Sequence, residues 1–157
     1  MRRTDREITD YTQMLKILDE CDCCRLGFST ERGADIVPMN FGYADHSGRL
    51  SLYFHSAAAG RKLELLRAQP LVGFELDCGH RLMPGDRACS YSFAYRSIIG
   101  TGRIALLTDP AAQTHALRRI MAHYAPAAPA DWSFDPAALA HLCVLRLDVD
   151  EWACKMH

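Results

Sequence analysis

The stretch from Arg49 to Gln69 constrains this chain most, because a strand, a turn of small residues and a short helix follow one another without slack. Arg49-Leu50-Ser51-Leu52-Tyr53-Phe54 reads as a strand that ends in His55-Ser56, and Ala57-Ala58-Ala59-Gly60 supplies the turn. In Arg61–Arg67 the residues Leu63, Leu65 and Leu66 give an apolar face at helical spacing, and Gln69-Pro70 stops it. Arg61 and Lys62 place two cations in the first turn, where the helix dipole and unpaired N–H groups favour negative charge. An anion such as phosphate would offset that penalty, meeting N–H groups, the Ser56 hydroxyl and both cations at one point. The small residues before the helix would let a bulky ligand approach the backbone. A solvated helix start with two surface cations accounts for the same pattern equally well.

The chain of 157 residues suits a single domain, 1–157, with one core. A formal net charge of -1 gives no footprint for nucleic acid or an anionic membrane, and no apolar run is long enough to span a bilayer. The charged N-terminus, Met1-Arg2-Arg3-Thr4-Asp5-Arg6-Glu7, lacks the apolar segment of a signal peptide. Seven cysteines, an odd number with Cys21, Cys23 and Cys24 crowded together, argue for reduced thiols in a cytoplasm rather than a disulfide framework.

Ile8, Tyr11, Met14, Leu15 and Leu18 predict an amphipathic helix over Asp10–Glu20. Leu26–Thr30 reads as a strand, Glu31-Arg32-Gly33 as a turn, and Ala34–Tyr43 as a second strand carrying Pro38. A proline there removes a ladder donor, so this strand must lie at an edge, carry a bulge or face something other than a neighbouring strand. Ala44–Gly48 closes a hairpin into the strand that ends at His55. Leu71–Asp77 reads as a buried strand, Cys78–Asp86 as a loop, and Ala88–Leu107 as one long strand or two, interrupted by Gly100-Thr101-Gly102. Asp109-Pro110 opens a helix with Leu117, Ile120, Met121 and Tyr124 on one face. Pro126–Asp131 is a loop, Asp135–His141 a brief helix, and Cys143–Val149 a final alternating strand. Six or so strands in hairpin-like succession with a few helices predict a mainly β fold, a small antiparallel barrel.

Ile36-Val37-Pro38-Met39-Asn40-Phe41-Gly42-Tyr43 followed by Leu52-Tyr53-Phe54-His55-Ser56-Ala57 and Gly60-Arg61-Lys62-Leu63 resembles the pyridoxamine-phosphate-oxidase-like split barrels that bind FMN. More narrowly, these segments are similar to the branch related to nitroimidazole-resistance (Nim) proteins, as are the opening Met1–Ile8 and Tyr95–Gly102. The similarity runs over nearly the whole chain. It implies a homodimer with two FMN sites at the subunit interface. Ser56, Arg61 and Lys62 would then hold the phosphate, and Val37, Pro38, Met39, Asn40 and Phe41 would pass along the flavin ring, with Asn40 at its polar edge. Tyr53 and His55 would lie near the ring or ribityl chain, and Tyr95, Arg96 and Ser97 would approach from the partner subunit. The oxidases proper use further C-terminal basic residues on their substrate; Glu151–His157 offers no convincing counterpart, which argues against vitamin metabolism as the activity. The activity implied is reduction of a small molecule, nitroimidazole-type compounds being the most concrete, with a non-catalytic flavin- or haem-binding sensor or store as the alternative.

Several residues carry two readings. His55 suits proton transfer or substrate contact beside a cofactor, since histidine as a residue type titrates near neutral pH, and equally suits a strand-end ring bonded to backbone. Cys21, Cys23 and Cys24 lack a second ligand pair at metal spacing and read as structural thiols; Cys78, His80 and Cys89 make only a weak loop metal site. Gly100 and Gly102 mark a bulge or a close backbone approach rather than a dinucleotide fingerprint. Trp152 suits either a flavin edge or a dimer core, and His115 and His123 read as solvated helix surface.

Overall fold

Hydrophobic alternation organises the chain into strands, and a computed structural model describes residues 3–128, 132–139 and 141–157, the side chains of Lys62, Pro136 and Ala138 excepted. A 3-10 turn at Thr4–Arg6 leads to β1 (Glu7–Ile8), α1 (Tyr11–Glu20), β2 (Cys24–Thr30), β3 (Gly33–Met39), β4 (Gly42–His46), β5 (Arg49–Ala57) and α2 (Arg61–Ala68). After these come β6 (Leu71–Met83), a 3-10 turn at Ala88–Ser90, β7 (Ser92–Leu107), α3 (Pro110–Tyr124), α4 (Pro136–Leu139) and β8 (Leu142–Met156). The strands form one antiparallel sheet in the order β3-β2-β6-β7-β8-β5-β4, with β1 added beside β8. The order begins and ends on β3 and β4, which are consecutive in the chain, so the sheet curls into a split barrel whose seam lies where β3 hands over to β4.

Leu50, Leu52 and Phe54 alternate into the main core beside Leu26, Phe28, Leu76, Ile98, Leu145 and Leu147, and α1 closes it with Met14, Ile17 and Leu18. A smaller core lies on the other face of β5, where α3 packs Ala116, Leu117 and Ile120 on Ala44, Tyr53 and Val144. The α1 start is capped by the Asp10 carboxylate, which accepts from the Gln13 N–H at 2.7 Å, and α3 is capped in the same way by Asp109.

Three expectations are corrected. The strand predicted over Ala34–Tyr43 breaks at Asn40-Phe41, because Phe41 turns into the core and Gly42 passes directly beneath α3. Cys78–Met83 is strand rather than loop: the ladder with β7 continues past a register shift between Cys78 and Arg81, where Gly79 adopts φ +68°. β8 runs on to Met156, well beyond Val149, because its second half pairs with β7 and β1. Pro38 does sit on an edge strand, paired with Arg25 of β2 on one side only. A second register shift between Thr101 and Gly102 explains that glycine pair, and a Cβ on Gly102 would fall on the Asp148 carbonyl. Part of the Pro126–Asp131 loop and the end of the Asp135–His141 helix lie outside the described residues.

Candidate functional site

At the seam, three chain breaks converge. The α1–β2 corner brings Asp22 and Cys23, the end of β3 brings Pro38, Met39 and Asn40, and the end of β5 brings His55; together they line an open cleft of about 260 Å³. Along β3 the pleat sends Ile36 and Pro38 to one face and Asp35, Val37 and Met39 to the other, and Asn40 follows just past the strand's end. Asn40 and His55 are both exposed, so an amide and an imidazole face the opening.

The walls of this cleft are fastened from behind by the end of α3. The Tyr124 hydroxyl donates to the Asp22 carbonyl at 2.7 Å and accepts the Phe41 N–H at 3.1 Å, tying two cleft segments to one oxygen. His123 Nε2 lies 2.7 Å from the Cys21 carbonyl, which can only accept, so this nitrogen carries the proton; its ring lies 4.4 Å from that of Phe41. Arg119 donates through Nε to the Tyr43 carbonyl at 2.6 Å. His123 is therefore a structural fastening and not solvated surface. His115 stands edge-on to Tyr53 at 5.6 Å.

The remaining expected site residues are distributed as follows. Arg61 is already neutralised: its Nε and Nη2 donate to the Asp35 Oδ2 at 3.0 and 2.7 Å. The Ser56 hydroxyl donates to the Ala57 carbonyl at 2.9 Å. Gly60, at φ 127°, precedes α2 without a side-chain cap, and the Lys62 side chain, expected beside it, lies outside the described residues. Tyr53 is buried beneath α3, away from the cleft, and that burial pushes its phenol above the ordinary range. Tyr95 pairs with the chain end through His157, Arg96 donates to Glu20 Oε1 at 2.7 Å, and Ser97 stands between Asp77 and Lys155 in the sheet; none of the three reaches this chain's own cleft. Asp22 and Asp35 are not among the residues the sequence singles out, and Cys23, read there as a structural thiol, lines the cleft. The signal available was weak: a polar break between helix and strand, and a lone acid on a strand carrying a proline.

Two of the three clustered thiols are buried. Burial pushes Cys21 and Cys24 well above the usual thiol range, and Cys21 donates to the Ile17 carbonyl at 3.2 Å. His80 Nε2 lies 3.0 Å from Asp77 Oδ2. Trp152 packs edge-on to Tyr11 at 5.7 Å against the main core.

The sequence profile of the pyridoxamine 5'-phosphate oxidase family matches residues 10–156. The chain belongs to that family. Among solved structures, it is similar to a Bacteroides thetaiotaomicron protein provisionally assigned to 5-nitroimidazole antibiotic resistance, with 30% identity and a TM-score of 0.80 over 96% of this chain and 86% of that one. The flavocytochrome Anf3 of Azotobacter vinelandii shares the fold at 20% identity and TM-score 0.78, over 100% of this chain and 72% of that one. An FAD- and haem-binding protein of Mycobacterium smegmatis does so at 19% and 0.81, over 96% and 73%. Comparison with curated proteins by sequence finds no match. As a member of the pyridoxamine 5'-phosphate oxidase family, the chain keeps the split barrel, and no helix among its described residues is long and apolar enough to cross a membrane.

Proposed function

We propose that this chain is a cytoplasmic flavin-dependent oxidoreductase that holds FMN along β3 and reduces a small molecule, nitroimidazole-type compounds being the most concrete substrate class. The observation that carries the reading is the layout of β3. Its unpaired edge runs from Asp35, where Arg61 waits, to Asn40, where the cleft opens beside His55. That is five residue steps, or about 17 Å of extended chain. Such a track suits an elongated ligand with a planar, polar-edged head and an anionic tail, so the residues present fit the group. Asn40 would meet the polar edge of the ring, Pro38 and Met39 would line its flank, and Arg61 with Lys62 and Ser56 would hold the phosphate. When bound, the flavin supplies hydride or electron transfer at its ring. The chain's own part is to position that ring, limit water at its buried side and, through His55 at the cleft mouth, deliver or hold a proton for the substrate.

The proposed assembly is a homodimer with the sites at the subunit interface, Tyr95, Arg96 and Ser97 reaching the partner's flavin. Supporting this is the outer sheet face, where Ile36 is 59% exposed in a sheet row with Gly27 and Gly73, and Ile99 is 52% exposed in the neighbouring row with Glu75 and Arg25. A second reading, a non-catalytic haem-binding protein, is favoured by the exposure of His55, whose imidazole would ligate the iron. The protein purified without added cofactor should show two flavin bands and release FMN on denaturation. It should then oxidise NAD(P)H in the presence of a nitroimidazole, with His55→Ala keeping the flavin but losing turnover. A Soret band, or a colourless protein that does not take up FMN, would overturn the reading.

A further inference from the structure

We propose that Asp35 is an internal counter-ion that occupies Arg61 in the empty protein and is displaced by the flavin's phosphate, so that this carboxylate sets how strongly the site prefers phosphorylated over unphosphorylated flavin. The inference rests on the reading of Arg61 as a phosphate contact. It starts from the geometry of the ion pair. Both guanidinium donors converge on one oxygen, Oδ2, and Oδ1 makes no hydrogen bond among the described residues. The pair is thus short of the two-oxygen fork in which arginine and carboxylate bind best. It is also wet: the two side chains are 62% and 33% exposed, a setting in which ion pairs hold weakly and open readily.

A phosphate monoester offers Arg61 what Asp35 does not, namely three acceptor oxygens and nearly twice the charge. Exchange of one anion for the other is therefore favourable, but it leaves the Asp35 carboxylate beside the phosphate, and like charges oppose each other. Asp35 thus acts twice against the phosphate, once by competing for Arg61 and once by repulsion. It touches neither the ring end of the track nor the cleft, since Asn40 lies five residues further along the chain, just past the end of β3. A ligand without the phosphate gains nothing from Arg61 and meets neither penalty. Asp35 is in this sense a specificity-determining residue, and it also keeps a solvent-facing arginine from recruiting other anions while the site is empty.

The test titrates apo protein with FMN and with riboflavin, following quenching of flavin fluorescence, for the natural chain, Asp35→Asn, Arg61→Ala and the double variant. Asparagine keeps the shape of the side chain, and β3 pairs through its backbone, so the fold should persist; circular dichroism verifies this. Asp35→Asn should tighten FMN about three- to tenfold while riboflavin affinity stays within about twofold, and the gain should shrink when Arg61 is also removed. Weaker or unchanged FMN binding in Asp35→Asn, with Arg61→Ala still lowering the FMN preference, would overturn the counter-ion role alone. If Arg61→Ala left the FMN-to-riboflavin preference untouched, the phosphate assignment itself would fall.

Discussion

The two ends of β3 are held in opposite ways. At the Asn40 end, α3 lies directly on the chain: Gly42 has no room for a side chain, Tyr124 joins Phe41 to Asp22, His123 holds Cys21 and Arg119 holds Tyr43. At the Asp35 end there is one exposed ion pair, a glycine in the left-handed region and a short helix without a side-chain cap. The division suits the two halves of the proposed ligand. A ring that exchanges electrons needs fixed walls, since small displacements of reacting atoms are costly in rate. A phosphate only needs to be captured, and a loosely held arginine can move to meet it. Backbone fastening thus lies where chemistry is proposed, and adjustable charge lies where binding is.

The sharpest way to break this comparison is Gly42→Val. A Cβ at this position would fall on the backbone of Arg119 and Ile120, which cannot move without shifting α3. The variant should lose about 3 kcal/mol or more of stability in chemical denaturation. Near-neutral stability would mean that α3 is not seated rigidly on the corner. Tyr124→Phe probes the same clamp more gently. It removes the oxygen shared by the Phe41 N–H and the Asp22 carbonyl, and should cost about 1–2 kcal/mol by the same measurement. Flavin affinity in Tyr124→Phe should fall as well, whereas a loss of stability with the affinity intact would separate the clamp from the cleft.

What the sequence made legible was mostly local. The alternation of Leu50, Leu52 and Phe54 shows on which side of β5 the core lies, and Pro38 marks an edge because it lacks a donor. The family resemblance sets Val37, Pro38, Met39, Asn40, Phe41, Tyr53 and His55 beside the expected flavin; Pro38, Met39, Asn40 and His55 line one cleft, and Tyr53 lies under α3. The non-local pairings were hidden. Tyr124 and His123 look like any polar residues on an amphipathic helix, yet they bond to carbonyls near residue 22 because α3 crosses the seam, a fact of topology. Arg61 reads in the sequence as a cation suited to an external anion, while its partner within the chain, Asp35, lies far away in the sequence and is brought to it only by the fold. The β6–β7 extension is hidden in the sequence because Gly79 and Pro84 resemble turn signals, while the long ladder that absorbs the bulge is visible only once β7 is in register.

The smallest effect sharpens the rigid end. His115 faces Tyr53 from α3 with Arg118, Arg119 and His46 around it, and its pKa is lowered below 6.5, first by burial and then by the positive charge of those neighbours. A base whose folded pKa is depressed favours folding in its neutral form. Its contribution is therefore complete above about pH 6.5 and declines as pH falls below that value, because the unfolded chain takes up the proton first. Replacement by Gln removes the titration and keeps a polar side chain of similar reach. Between pH 7.5 and 5.5 the natural chain should lose more stability than His115→Gln, by well under about 1 kcal/mol given the exposure of the ring. Equal slopes would show that the α3–β5 contact leaves His115 as free to protonate as in the unfolded chain, and that the locked region ends short of it, at Arg119.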